Sequence, residues 1–382
     1  MNDSQSKKIT SIFLLTGLIV VTTTLFGCGG TTSDNPQNYS ANSEANASST
    51  PNTGDKSIEA SNSDRFNNLS GTILFTKAIF EPGQTRAISI PYGISPDGSK
   101  LQEIANRINV LSYRGSYSIS GNCQYLFVPV NDKYANDNSP ETLVVMQVDG
   151  SVYREFTPPG EGRIISGAYS PIKSMIAYVR EGGELFTIDM EGSLVTTFSL
   201  PGFKEGDSIA WSPNASRFAF IAENESGTQR NMFVIDNDGK NLMNLTEKNW
   251  PSQEFPNIPS SKPSWSPDSN KLAFIAEVAA GDEIWLFDIH TLKSSKMWSP
   301  DSSWSSSKLE GIDWSPHGNV IVFSTEREND SNRPVDIGLI DLNTLFSKRI
   351  YRGTEGERLN GWFDCDTFPS VMGQPSDETS ST

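Results

Sequence analysis

Four times between Met175 and Asp341 a short run of consecutive apolar residues is followed by a polar loop and then by a second apolar run that ends in aspartate. The first runs are MIAYV (Met175 to Val179), FAFIA (Phe218 to Ala222), LAFIA (Leu272 to Ala276) and VIVFS (Val320 to Ser324). The second runs are LFTID, MFVID, IWLFD and GLID, ending at Asp189, Asp236, Asp288 and Asp341. Unbroken apolar character over so short a length predicts strands covered on both faces, as in sheets stacked between sheets. After each aspartate comes a turn, such as DMEGS or DNDGK, and then a more polar strand, such as LVTTFSL or LMNLTEK. No segment shows a capped pattern with a 3.6-residue period, so the body is expected to be all-β.

A phrase of aromatic, Ser and Pro precedes most of the first runs: AYSPIK, AWSPNAS, SWSPDSN and DWSPHGN, with a degenerate copy in SISGNC. Taking the serine as marker gives Ser120, Ser170, Ser212, Ser266 and Ser315, in steps of 50, 42, 54 and 49 residues. Such periods are too long for most helical solenoids and suit a four-stranded unit. Proline presets φ for a turn, the Asp, Asn, Ser or Gly that follows makes the tight return, and the aromatic is expected to pack against the next sheet. The phrase is therefore read as the hinge between the first and second strands of each unit. Trp298-Ser299-Pro300 lies only 16 residues before Ser315 and leaves no room for a unit, so it is assigned to a strand end and the following loop.

These repeats resemble the TolB-type, WD-like β-propeller repeats, strongly from Gly162 to Thr354 and weakly before that. The resemblance implies a propeller of four-stranded antiparallel blades. It does not carry TolB's partner-binding role with it, because TolB has an α/β domain before its propeller and is not normally a lipoprotein. GTILFTK and TRAISIPYGISPDGSKLQEIA resemble strands two to four of a blade lacking its first strand, and ERLNGWFDCDTFPS resembles a lone first strand with Trp362 at the marker aromatic. Joining them gives six blades over residues 71–368, about 50 residues each. The C-terminal strand then pairs with the N-terminal blade and removes a free edge.

The ends read differently. Lys7 and Lys8 precede the apolar run IFLLTGLIVV, and Leu25-Phe26-Gly27-Cys28 resembles a bacterial lipoprotein lipobox with Phe26 bulkier than usual. That resemblance implies a signal peptide over residues 1–27, lipidation of Cys28 and a membrane-tethered, cell-envelope protein. In a Gram-negative cell Gly29, not Asp, favours the outer membrane, facing the periplasm or the surface. Residues 28–70, nearly all Ser, Asn, Thr, Ala and small charges, are expected to form a disordered stalk with a reach of roughly 35 Å. Residues 369–382 are expected to be a flexible tail.

Charge and chemistry narrow the function. The formal net charge is −16. Removing Lys7, Lys8 and Asp3 with the signal leaves −17. So acidic a body, with no basic run interleaved with aromatics, excludes nucleic acid as the expected partner. His290 and His317 are the two histidines. Both are read as solvated turn residues, and neither a metal site nor a Ser-His-Asp triad is expected. The Asp236-Asn237-Asp238-Gly239 stretch makes a poor calcium loop, because its later positions would be Lys240, Leu242 and Asn244. No cofactor is expected. Two functions remain: a monomeric, non-enzymatic scaffold binding an envelope protein, peptide or glycan, and a lyase- or cyclotransferase-like propeller enzyme with a carboxylate site in the central channel. The first strands carry few charges for the second, namely Asp207, Glu310 and Asp313. Cys123 and Cys365 lie in hinges that the closure makes neighbours. They are expected to be either a disulfide locking the seam or two buried free thiols.

Overall fold

The computed structural model describes residues 66, 68–80, 87–104, 118–130, 142–148, 151–204, 207–223, 229–246, 257–259, 261–304, 306, 308–327, 333–354 and 356–365. The segments read from the sequence as a signal (residues 1–27), a stalk as far as residue 65, and a tail (369–382), together with Cys28, lie outside the described residues. Within them the chain forms 24 strands. The first three are β1 (Thr72–Phe80), β2 (Ala87–Ile94) and β3 (Gln102–Glu103). A second set follows: β4 (Ser118–Ile119), β5 (Tyr125–Val130), β6 (Thr142–Gln147) and β7 (Val152–Phe156). Then come β8 (Ile164–Tyr169), β9 (Met175–Arg180), β10 (Glu184–Asp189) and β11 (Leu194–Ser199). The fourth set is β12 (Ile209–Trp211), β13 (Arg217–Glu223), β14 (Arg230–Asp236) and β15 (Met243–Asn244). The fifth is β16 (Ser264–Trp265), β17 (Lys271–Val278), β18 (Gly281–Asp288) and β19 (Lys293–Trp298). The last five strands are β20 (Leu309–Trp314), β21 (Val320–Glu326), β22 (Val335–Asp341), β23 (Ser347–Tyr351) and β24 (Glu357–Phe363).

These strands make six four-stranded antiparallel sheets, five of them in simple chain order and one in the order β24-β1-β2-β3. The molecule is a six-bladed β-propeller whose split blade is closed by the C-terminal strand. In that blade Thr72 faces Phe363 and Lys77 faces Glu357, with a bulge between Leu74 and Phe75. The core is divided among the six junctions between neighbouring blades. Phe218, Phe220 and Trp211 meet Ala177 and Val179 at one junction, and Phe274 and Trp265 meet Ile221 and Val234 at the next. The seam is packed like the rest: Ile73, Phe75 and Trp362 meet Val320, Val322 and Leu339 on one side, while Leu74 and Cys365 meet Leu126 and Val144 on the other.

Two details depart from the sequence reading. The marker aromatics pack on the blade before them, not the next one. Trp211 Nε1 donates to Ala168 O at 3.4 Å, and Trp265 Nε1 donates to Ala210 O at 3.2 Å. Each acceptor is the residue before the preceding blade's marker aromatic. Trp314 leans the same way with its Nε1 unpaired among the described residues, so apolar packing sets the direction and the indole N–H adds to it where a carbonyl is in reach. The packed body also begins upstream of residue 71. Phe66 is buried, its ring 6.2 Å from that of Phe346, and Ser70 O accepts from Trp362 Nε1 at 3.2 Å. One large apolar residue in a polar segment is enough to draw the chain onto the seam.

Candidate functional site

Each hinge is built the same way, and the marker serine does more than mark it. The N–H of Ser120, Ser170, Ser212, Ser266 and Ser315 donates to the carbonyl five residues on, at 2.8 to 2.9 Å. In four of the hinges the N–H three residues on closes back on the serine carbonyl, and that residue has positive φ: Cys123 (58°), Ala215 (52°), Ser269 (62°) and Gly318 (76°). The buried hydroxyls add to this. Ser212 Oγ accepts from Arg217 N at 3.0 Å, Ser266 Oγ accepts from Lys271 N at 2.8 Å, and Ser120 Oγ accepts from Tyr125 N at 3.0 Å. SISGNC is thus a full hinge despite lacking both aromatic and proline. Ser266 Oγ also donates to Asp268, and this hydrogen bond leads the causes that hold the Asp268 carboxyl below its usual range.

Because the hinges all fall on one face of the disc, the residue before each marker converges there from every blade. Ile119, Tyr169, Trp211, Trp265, Trp314 and Trp362 line a single cavity of about 400 Å³, together with Pro171, Pro213, Pro267 and Pro316. Burial raises the Tyr169 phenol above its usual pKa, so it is neutral at physiological pH. Most polar groups in the wall are committed to neighbouring blades. Ser118 Oγ accepts from Tyr169 N at 3.2 Å, and Ser264 Oγ accepts from Trp314 N at 2.8 Å. Asp313 accepts from Ser264 Oγ at 2.6 Å and from Trp362 N at 2.8 Å. Lys262 also lines the cavity, half-buried and with no hydrogen bond or ion pair among the described residues.

The three carboxylates singled out in the sequence, Asp207, Glu310 and Asp313, are not brought together as a reactive group, and only Asp313 lines the cavity. Asp207 is buried against Arg230, which is ion-paired to it, and caps Lys204 N at 2.8 Å. Glu310 pairs with Lys308 at 3.1 Å, and Asp313 bridges blades as just described. Among the described residues there is no group of three or more His, Cys, Asp or Glu placed to hold a metal ion. His290 Nε2 lies 2.8 Å from Asn270 Oδ1 in an exposed turn. His317 has closer company than a solvated turn residue. Its Nε2 lies 2.6 Å from Ser70 Oγ and 3.5 Å from Asp364 Oδ1. Serine and carboxylate both approach the same ring nitrogen, whereas a proton relay requires the carboxylate on the other one. The trio holds the seam together and lacks the arrangement of a nucleophile with its base.

Cys123 and Cys365 meet in the cavity wall. Their sulfurs are joined, with Cα atoms 5.9 Å apart, and Cys365 is buried beside Leu74, Ile119 and Leu126. The left-handed turn at Cys123 turns its side chain toward the seam, where the Asp364 carbonyl lies 3.5 Å from the sulfur.

The sequence matches no protein-family model and no curated protein. The fold does have counterparts among solved structures. The chain is similar to a structure assigned to TolB from Agrobacterium tumefaciens, with 15% identity, a TM-score of 0.51, and coverage of 76% of this chain and 93% of that one. It is similar to TolB from Acinetobacter baumannii at 15% identity and a TM-score of 0.54, covering 76% and 66%. A chain of a nidogen/laminin complex also matches, at 11% identity and a TM-score of 0.50, covering 77% and 98%. At these identities the likeness is one of fold.

Proposed function

We propose that this chain is a lipid-anchored propeller of a bacterial cell envelope that binds a protein or peptide, without catalysis, in the axial cavity of its hinge face. The observation that carries the reading is the cavity itself. Six blades each contribute the same position to it, five of them an aromatic ring. Of the three carboxylates that an enzyme reading would use, Asp207 and Glu310 are ion-paired and Asp313 is hydrogen-bonded across the blades. Aromatic rings in a concave, proline-lined wall give a large contact area at low conformational cost. The resemblance of the repeats and of the fold to TolB structures is consistent with an envelope role. Among the described residues no helix is long and apolar enough to cross a membrane. In this reading the anchor is Cys28, on the strength of the lipobox resemblance of Leu25-Phe26-Gly27-Cys28.

Two experiments test it. Replacing Cys28 with Ser should leave a folded body that no longer partitions into detergent as a lipid-modified chain, because the lipobox acts on location and the body folds on its own core. Detergent partitioning of a mature, lipidated Cys28→Ser chain would overturn the anchor. For the site, a photo-cross-linking residue at Ile172, which is exposed beside Pro171 at the cavity rim, should capture one reproducible envelope protein in cells. The same residue at Tyr153, exposed on the outer strand β7, should not. Equal capture at both positions, or none together with turnover of a cell-wall glycan by the purified protein, would reverse the proposal.

A further inference from the structure

Lys262 is the unexplained group of the cavity. Lys262 is half-buried, as a lysine is whose stem lies along an apolar wall, and it is the one cation among the described residues that line the cavity. In this chain acidic residues outnumber basic ones by 16, yet Lys262 has no partner among the described residues. The two carboxylates that share its cavity are otherwise engaged, Asp313 with Ser264 and Trp362, and Asp364 with His317. The remaining wall is aromatic, aliphatic and prolyl, with the hydroxyls of Ser118 and Ser264 already bonded to neighbouring strands.

We propose that Lys262 is a specificity-determining residue that pairs with the carboxylate of an extended peptide segment, a side chain or a free C-terminus, presented by a partner protein next to proline or aromatic residues. The inference rests on the axial cavity being the binding site and deepens that reading by naming what it selects. The chemistry favours peptide over glycan. A sugar ring needs several free donors and acceptors around it, and this wall has committed most of its own. A peptide flanked by apolar side chains needs one charge and apolar faces, which the wall supplies. The strongly acidic body repels anions at long range, so an acidic ligand gains from the pairing only once it is seated within a few ångströms of Lys262. The site then discriminates against neutral peptides and against acidic peptides lacking the flanking apolar groups.

The test selects peptides from a random display library on the full chain, attaches a photo-cross-linker to the winners and maps their contact sites. The expected result is cross-links to the cavity wall and enrichment of Asp, Glu or a free C-terminus beside proline or aromatic residues. Changing the peptide acid to its amide, or Lys262→Met in the protein, should each weaken binding roughly tenfold to a hundredfold, as for a charged hydrogen bond. The two changes together should be little worse than either alone, and Lys262→Arg should keep most of the affinity. Unaltered thermal melting of the Lys262 variants checks that they fold. Peptides that cross-link to the wall with no acidic preference, or that bind Lys262→Met equally well, overturn the role of Lys262 and leave the cavity reading standing. Cross-links elsewhere, or no selected peptide, overturn both. Binding of polygalacturonate that Lys262→Met abolishes assigns the ammonium to a sugar acid and overturns the peptide.

Discussion

A chain ending at Arg352 should come out insoluble or molten, whereas one ending at Met372 should melt as cooperatively as the full protein. The first truncation removes β24, and with it the hydrogen-bonded partner of β1 from Thr72 to Lys77. It also removes Trp362, which is buried at the seam, and the Asp313 hydrogen bond to Trp362 N that ties the fifth-to-sixth-blade wall to the split blade. Glu357 is lost too, leaving Val335 N without its buried acceptor at 3.2 Å. Loss of a buried tryptophan alone costs about 3–5 kcal/mol. That is a large fraction of the 5–15 kcal/mol or so that separates folded from unfolded domains. The freed edge of β1 would also be an open template for pairing between molecules. Solubility, near-ultraviolet circular dichroism and light scattering measure the outcome. A monomeric fragment ending at Arg352 with a cooperative melt would show that the ring does not need its closing strand.

Much of this architecture was legible because the hinge phrase states three physical requirements in adjacent letters. The aromatic needs a partner blade, the proline a fixed φ, and the turn residue a tight return, so the phrase alone places Trp211, Trp265 and Trp314 at the hinges. The split blade was legible at Trp362 for the same reason. Where the sequence misled, a local pattern could not report a long-range choice. An indole can lean either way from its strand, and only the apolar wall of the preceding blade, with the carbonyls of Ala168 and Ala210, decides that Trp211 and Trp265 lean back. Phe66 looked like part of a polar stalk because its partner, Phe346, is 280 positions away. The role of the marker serine's hydroxyl has only one trace in the sequence, the recurrence of Ser where Ala or Thr would also fit a turn. Lys262 was invisible for a different reason. A lysine before Pro263 is unremarkable in a sequence, and its interest lies in having no partner inside a cavity assembled from six distant segments.

Thiol counting on denatured, unreduced protein should find no free thiol at Cys123 or Cys365, and proteolysis should release the two as one linked peptide pair. They are 242 residues apart in the chain, and closing so long a loop removes conformational freedom from the unfolded state worth about 5 kcal/mol, an upper figure because residual structure and strain reduce it. The bridge joins the hinge of the second blade to the end of β24, so it acts on the same seam that truncation opens. Reduction, or Cys123→Ser, should therefore lower the melting midpoint by on the order of 5–10 °C. Cys123→Ser is the better variant because Cys123 is partly exposed, whereas Cys365 is buried beside Leu74 and Leu126 and its replacement adds a packing and polarity cost of its own. A midpoint unchanged by reductant, with two free thiols at these positions, would mean that hydrogen bonding along β24 and the packing of Trp362 hold the ring unaided. A midpoint that falls on reduction while the protein stays monomeric and folded would separate the two contributions: the strand closes the propeller, and the disulfide sets how far it must be heated before the seam opens.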